Sequence, residues 1–157
     1  MDPFAEGLAA FSRRDFSAAR ELFSQAVSLQ PENPNYRYYH AITLRELRCL
    51  QEAADELSYI LDKQTVPSAF LYTRGDIFLE MGDPAKAEAD FSAVITLDEE
   101  DDYWKSLACL GRGLIFLENG LVEEAISDLS SAEDLANKTG DSSLLARISS
   151  ELEKAGF

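Results

Sequence analysis

The sequence predicts an all-α fold of about four helix-turn-helix units, closed by one further amphipathic helix. Small and large apolar residues recur every 34 positions along the chain. Within each recurrence the order is the same: a small residue, a large apolar one three on, a turn, an alanine, and a large apolar residue four beyond it. Helix-starting residues, an aspartate followed by proline, stand where two of these helices should begin.

Phe23, Leu57 and Phe91 lie 34 apart, as do Ala19, Ala53 and Ala87, and Gly7, Ala41 and Gly75. After a four-residue slip the pattern returns, with Gly113, Ala125 and Leu129 each 38 beyond Gly75, Ala87 and Phe91. A fixed period of roughly 20–50 residues marks stacked supersecondary units, none of which buries its apolar face alone. Glycine inside a helix costs about 1 kcal/mol relative to alanine. Its recurrence at 7, 75 and 113 therefore predicts close helix approach there, while Phe78, Phe91 and Phe116 fill the layers between pairs.

The first unit, about residues 2–33, opens on Asp2-Pro3 and closes before Pro31 and Pro34, where a helix must stop. The second, about 34–67, is the weakest: it keeps Ala41, Leu44, Ala53 and Leu57, but has Arg48-Cys49 at its turn and Thr65 near its end. The third, about 68–101, carries Gly75, Phe78, the turn Gly82-Asp83-Pro84, Ala87 and Phe91. The fourth, about 102–138, starts where Asp101 or Asp102 caps the helix that carries Trp104. Lys138-Thr139-Gly140 then breaks the chain. Leu144, Leu145, Ile148 and Leu152 mark a last amphipathic helix, about 141–155, ending near Gly156.

On these residues the chain resembles the tetratricopeptide repeat, a 34-residue helix-turn-helix unit. Gly7, Ala19, Phe23, Ala26 and Pro31 match it in the first unit, and Gly113, Phe116, Gly120, Ala125, Leu129 and Ala132 in the fourth. The family's early tryptophan is absent, and its closing proline stands only in the first unit. The resemblance covers nearly all of residues 1–157 and implies one domain, a right-handed α-solenoid with a C-terminal capping helix. Its concave wall would be made by the first helix of each unit, and would hold extended or helical segments of other proteins. Pentatricopeptide repeats, which bind RNA in basic grooves, are opposed by the net charge of −15.

Arg74-Gly75-Asp76 would read as an adhesion signal on an exposed loop, but Leu71, Gly75 and Phe78 fall at helical spacing on one apolar face. The tripeptide is therefore expected inside the first helix of the third unit.

A chain of 157 residues, 46% hydrophobic, is long enough to bury one core without a staple or a metal. Cys49 and Cys109 form no CxxC pair and no secretory leader is visible, which predicts a reducing, cytoplasmic setting. No apolar run approaches the roughly 18 residues of a membrane span. Residues 1–78 carry 11 acidic and 8 basic side chains, residues 79–157 carry 18 and 6. Such acidity repels phosphate backbones and anionic lipid, so nucleic acid and membrane are excluded as partners. It is either a solvated face or a surface for basic residues of a partner docking on the C-terminal half.

Nothing in the chain assembles an enzyme. His40 is the single histidine, beside Ala41, with neither a nucleophile-elbow sequence nor HExxH around it. Glu123, Glu124 and Asp128 read as surface carboxylates, since nothing apolar nearby would separate their pKa values. The run Asp98-Glu99-Glu100-Asp101-Asp102 lacks the glycine and alternating ligands of a calcium loop. Asn137-Lys138-Thr139 matches a glycosylation sequon by chance. No cofactor and no metal is expected.

What remains is a surface. The family's groove positions lie three and two residues before the small residue, and one and four after it, on one helical face. They are Phe4, Ala5, Leu8 and Phe11; Tyr38, Tyr39, Ile42 and Arg45; Tyr72, Thr73, Asp76 and Leu79; and Leu110, Gly111, Leu114 and Leu117. Tyrosine suits recognition, offering a large rigid area with a hydrogen-bonding tip. The same spacing also fits core side chains, and the leucines of the fourth unit also fit a place beneath the C-terminal helix. Phe4, Leu8 and Tyr39 stand where relatives that hold chaperone C-termini carry a carboxylate clamp of lysine, asparagine and arginine, which argues against that ligand.

The expected function is a non-catalytic adaptor or co-chaperone-like module binding a protein or peptide, as a monomer or weak homo-oligomer. One alternative is a small chaperone resembling those of type III translocators, although the first unit starts at residue 2 or 3 and leaves no room for their N-terminal extension. Another is a self-assembling scaffold joined through edges at Phe4 or Phe157.

Overall fold

The structure, a computed structural model, describes residues 1–97 and 101–157. The described residues are mainly helical, without strands, and form two compact units, Met1–Met81 and Gly82–Phe157. The division falls inside the third repeat. Asp98, Glu99 and Glu100, the start of the acidic run, lie outside the described residues.

Unit 1 holds α1 (Pro3–Ser12), α2 (Phe16–Leu29), α3 (Pro34–Glu46), α4 (Leu50–Leu61) and α5 (Ser68–Glu80). Each start has a local cause. Asp2 accepts from the Phe4 amide at 3.0 Å with proline at the first helical position, Asp15 from Ala18 at 3.1 Å, and Asn33 from Asn35 at 3.1 Å ahead of Pro34. α1 pairs with α2 and α3 with α4, and the pairs stack through α2 on α3 and α4 on α5. Gly7 is a close-approach notch: a Cβ there would stand 2.6 Å from the buried Phe23 ring. Ala41, Ala53 and Leu57 form the core of the second pair with Leu44, Ile60 and Phe70.

Unit 2 holds α6 (Pro84–Thr96), α7 (Asp102–Glu118), α8 (Val122–Thr139) and α9 (Ser142–Lys154). α7 packs on both α6 and α8, and α9 lies chiefly on α8. The four-residue slip is extra helix at the start of α7, which begins 11 residues before Gly113 where α5 begins 7 before Gly75. Asp101 caps it through the Trp104 amide at 3.3 Å. Gly113 receives Leu129, and α9 buries Leu144 and Ile148.

Two expectations change. Asp128 is not a surface carboxylate: it is buried on α8 and takes both Nε and Nη2 of Arg112, at 2.6 and 2.8 Å. Gly111 is a second notch on α7, where an added Cβ would stand 2.7 Å from the Phe91 ring, so its missing side chain serves the α6–α7 contact. The tripeptide Arg74-Gly75-Asp76 lies within α5, with Gly75 buried.

Candidate protein-interaction face

α1, α3 and α5 of unit 1 carry the predicted groove residues. Two rows cross them at the repeat spacing: Leu8, Ile42 and Asp76, and Phe11, Arg45 and Leu79. All six are half-buried, so each rests on the helices behind while keeping part of its surface open. Ala5 is exposed beside them.

The aromatic positions pack against one another. Tyr39 sits among Phe4, Phe11, Phe23 and Tyr38, with ring centroids 5.5, 6.3, 5.7 and 5.9 Å away. Phe4 also stacks on Tyr36 at 4.5 Å. Offset and edge-on pairs of this kind add roughly 0.5–1.5 kcal/mol each beyond their area burial, so the cluster stiffens the α1–α3 contact. Tyr38 reaches α5, with its ring 4.7 Å from Phe70 and its hydroxyl 3.2 Å from Thr73 Oγ1. Tyr72 and Thr73 are buried on α5.

Arg45 and Asp76 are partners of each other. The guanidinium of Arg45 donates to Asp76 Oδ2 at 2.6 Å and also to Glu80, which takes a second cation from Arg48. Burial would lower the Arg45 pKa, but the two carboxylates outweigh it and hold the group firmly charged. Glu80 was not singled out from the sequence, and Arg48 only as a turn residue. The signal was available: Arg45 and Glu80 lie 35 apart, close to one repeat, which sets facing side chains on successive first helices.

A second polar cluster ties α3 to α4. Arg37 donates to Glu56 at 2.5 Å and to the Pro31 carbonyl at 2.6 Å, and its guanidinium covers the Tyr59 ring at 3.6 Å. His40, the lone histidine, is buried with Nδ1 3.1 Å from Glu56 Oε1. Since a carboxylate only accepts, that nitrogen carries the proton. Burial pushes the Glu56 carboxyl up, but His40 and Arg37 together hold it below the ordinary 4.5. The network locks α3 against α4.

In unit 2, Leu110 is buried on α7. Leu114 and Leu117 line a cleft shared with Glu151, Lys154 and Ala155 at the end of α9. The capping helix therefore borders the α7 positions that correspond to Ile42 and Arg45. Cys109 is buried, which pushes its thiol up to about 11 and leaves it unreactive at neutral pH. Among the described residues no group of three or more histidine, cysteine, aspartate or glutamate side chains could hold a metal ion. None of the described helices is long and apolar enough to cross a membrane.

Comparison with known proteins agrees with this geometry. The family model described as tetratricopeptide repeat matches residues 4–69 and 72–138. The human tetratricopeptide repeat protein 13 is 32% identical over 110 residues, 69% of this chain but only 12% of that much longer protein. A crystal structure of MamA superposes with a TM-score of 0.80 at 20% identity, covering 88% of this chain and 78% of the other. YrrB, described as a TPR protein with an unusual peptide-binding site, gives 0.69 at 14% identity over 98% of this chain and 84% of its own. With the two-helix units, the notches and the 34-residue rows in place, the chain belongs to the tetratricopeptide repeat family.

Proposed function

We propose that the chain is a non-catalytic interaction module that holds a peptide or helix of another protein against the wall formed by α1, α3 and α5. The observation that carries this is the pair of rows Leu8–Ile42–Asp76 and Phe11–Arg45–Leu79, whose members all stay partly open on one face. Apolar members supply area that a partner can remove from water. Asp76, Arg45 and Glu80 supply one polar point that fixes the partner's register. Phe4, Tyr38 and Tyr39 brace the wall through their ring contacts, and Tyr72 is buried within α5. A wall already held by aromatic pairs loses little freedom on binding. The peptide-binding site named for YrrB supports the same kind of ligand here.

The test is site-specific photo-crosslinking in cells, with p-benzoylphenylalanine at Ala5 or Leu8 of the wall and, as controls, at the exposed Gln25 or Glu52 on α2 and α4. A defined partner should crosslink from the wall positions alone and be lost on Ile42→Lys with Leu79→Lys, while the helical circular dichroism is unchanged. Equal crosslinking from both faces, or capture that survives the double substitution, would overturn the assignment.

A further inference from the structure

Unit 2 carries an apolar cleft between α8 and α9. Its apolar lining is Ile126 and Leu129 of α8 with Leu152 and Phe157 at the end of α9, and Ser130 and Ser149 stand beside them around about 310 Å³. Single exposed apolar side chains are ordinary on a protein surface. Here two of them converge: Ile126 is 45% exposed and Phe157 53%, on opposite sides of one cleft. Val122, one turn before Ile126 on the same face of α8, extends the apolar strip.

The backbone fixes Phe157 in that place. Gly156 adopts φ 90°, the Phe157 amide donates to the Leu152 carbonyl at 3.0 Å, and the Gly156 amide donates to Glu153 at 3.1 Å. This is the hydrogen-bond pattern that ends a helix on a left-handed residue and brings the residue after it back onto the last turn. Phe157 and Leu152 are the pair it brings together, and both line the cleft.

The rim is acidic. Glu133 and Glu153 stand at its edge, and residues 82–157 carry 17 acidic against 6 basic side chains. We propose that this cleft binds an amphipathic helical segment of a partner protein that inserts adjacent apolar side chains and flanks them with lysine or arginine. Charge decides between occupants. A second copy in a two-fold dimer would set the same patch against itself, bringing Glu133 and Glu153 toward their own equivalents. A cationic segment instead pairs with the rim while its apolar face enters the cleft.

The test uses the full chain and a fluorescent peptide of about 18 residues, leucines on one helical face and lysines on the other. Two controls accompany it: a scrambled peptide of the same composition, and a counterpart with glutamate for lysine. The amphipathic cationic peptide should bind in fluorescence anisotropy and shift the amide resonances of Ile126, Leu152 and Phe157. Ile126→Glu, at an exposed position that leaves folding intact, should weaken it by at least about tenfold, and Glu133→Lys with Glu153→Lys should do so too. Equal binding of the scrambled peptide would overturn the proposal, since charge alone would then suffice. So would shifts confined to α1, α3 and α5, which would instead place the peptide on the proposed wall. A concentration-dependent dimer in light scattering that Ile126→Glu abolishes would make a second copy the occupant and overturn it as well.

Discussion

Arg14 and Arg48, 34 residues apart, hold the same left-handed backbone conformation, φ 62° at each. Gly82 and Gly120 stand at the corresponding places in the third and fourth turns, at φ 77° and 75°. In the first, second and fourth turns the next amide bonds back five residues, Asp15 to Ala10, Cys49 to Leu44 and Leu121 to Phe116. The unit that looked weakest by sequence thus turns with the same geometry as the others.

Left-handed conformation is free for glycine and costs an ordinary residue roughly 1–2 kcal/mol. Arg14→Gly should therefore stabilise the protein by roughly 0.5 kcal/mol after loss of its contact over Phe16. Gly120→Ala should cost about 1 kcal/mol, and for backbone reasons alone, since no atom lies within 4 Å of the added Cβ. Urea denaturation midpoints at constant slope check both, and a neutral Gly120→Ala would show the turn to be unstrained.

Gly7→Ala meets a different obstacle, because its Cβ would stand 2.6 Å from the ring of a fully buried phenylalanine. Overpacking of this kind costs about 1–3 kcal/mol. Shortening the ring side chain should relieve it. In a double-mutant cycle, Gly7→Ala with Phe23→Leu is expected to lose less than the two single substitutions together. Strict additivity would refute the notch.

Arg112 and Asp128 form a two-toothed ion pair with only 21% and 10% of their side chains exposed. Removing one partner strands the other, so Asp128→Ala should cost about 3 kcal/mol in chemical denaturation. Arg112→Met combined with Asp128→Leu should cost much less, since an apolar pair leaves no charge unmatched. A double substitution as costly as Asp128→Ala would mean that the pair contributes net stability.

Glu56 contributes to the acid sensitivity of unit 1. Its folded pKa lies below the ordinary 4.5, so its contribution is fully present above that value and is lost as pH falls through the folded pKa. Glu56→Gln should cost about 1–3 kcal/mol near neutral pH, where it loses charge-assisted bonds from Arg37 and His40. The gap between wild type and variant should narrow as pH drops below about 4.5, read by denaturation at stepped pH. A constant gap would mean that the carboxyl is not the group titrating.

The fold was legible because its signals are local or strictly periodic. Asp2-Pro3, Asp83-Pro84 and Gly140 act on residues within one turn of themselves, and each does in the structure what its chemistry predicts. The face bearing the candidate site was legible for the same reason, since Leu8 to Ile42 and Arg45 to Leu79 are steps of one repeat. How far each member is buried was not. Tyr38 and Tyr72 have the same residue type at equivalent positions, yet Tyr38 is half-buried and Tyr72 is buried.

The amino-acid sequence by itself determined the repeat period, the helix starts and stops, and which side of each helix is apolar, because those follow from spacing along one chain. Only tertiary packing decided who meets whom: that Arg45 pairs with Asp76, that Asp128 goes inside to meet Arg112, and that Gly111 makes room for Phe91. Burial and charge pairing depend on neighbours about 16 to 35 positions away, and the free energy of a carboxylate changes sign between an open surface and a fitted partner.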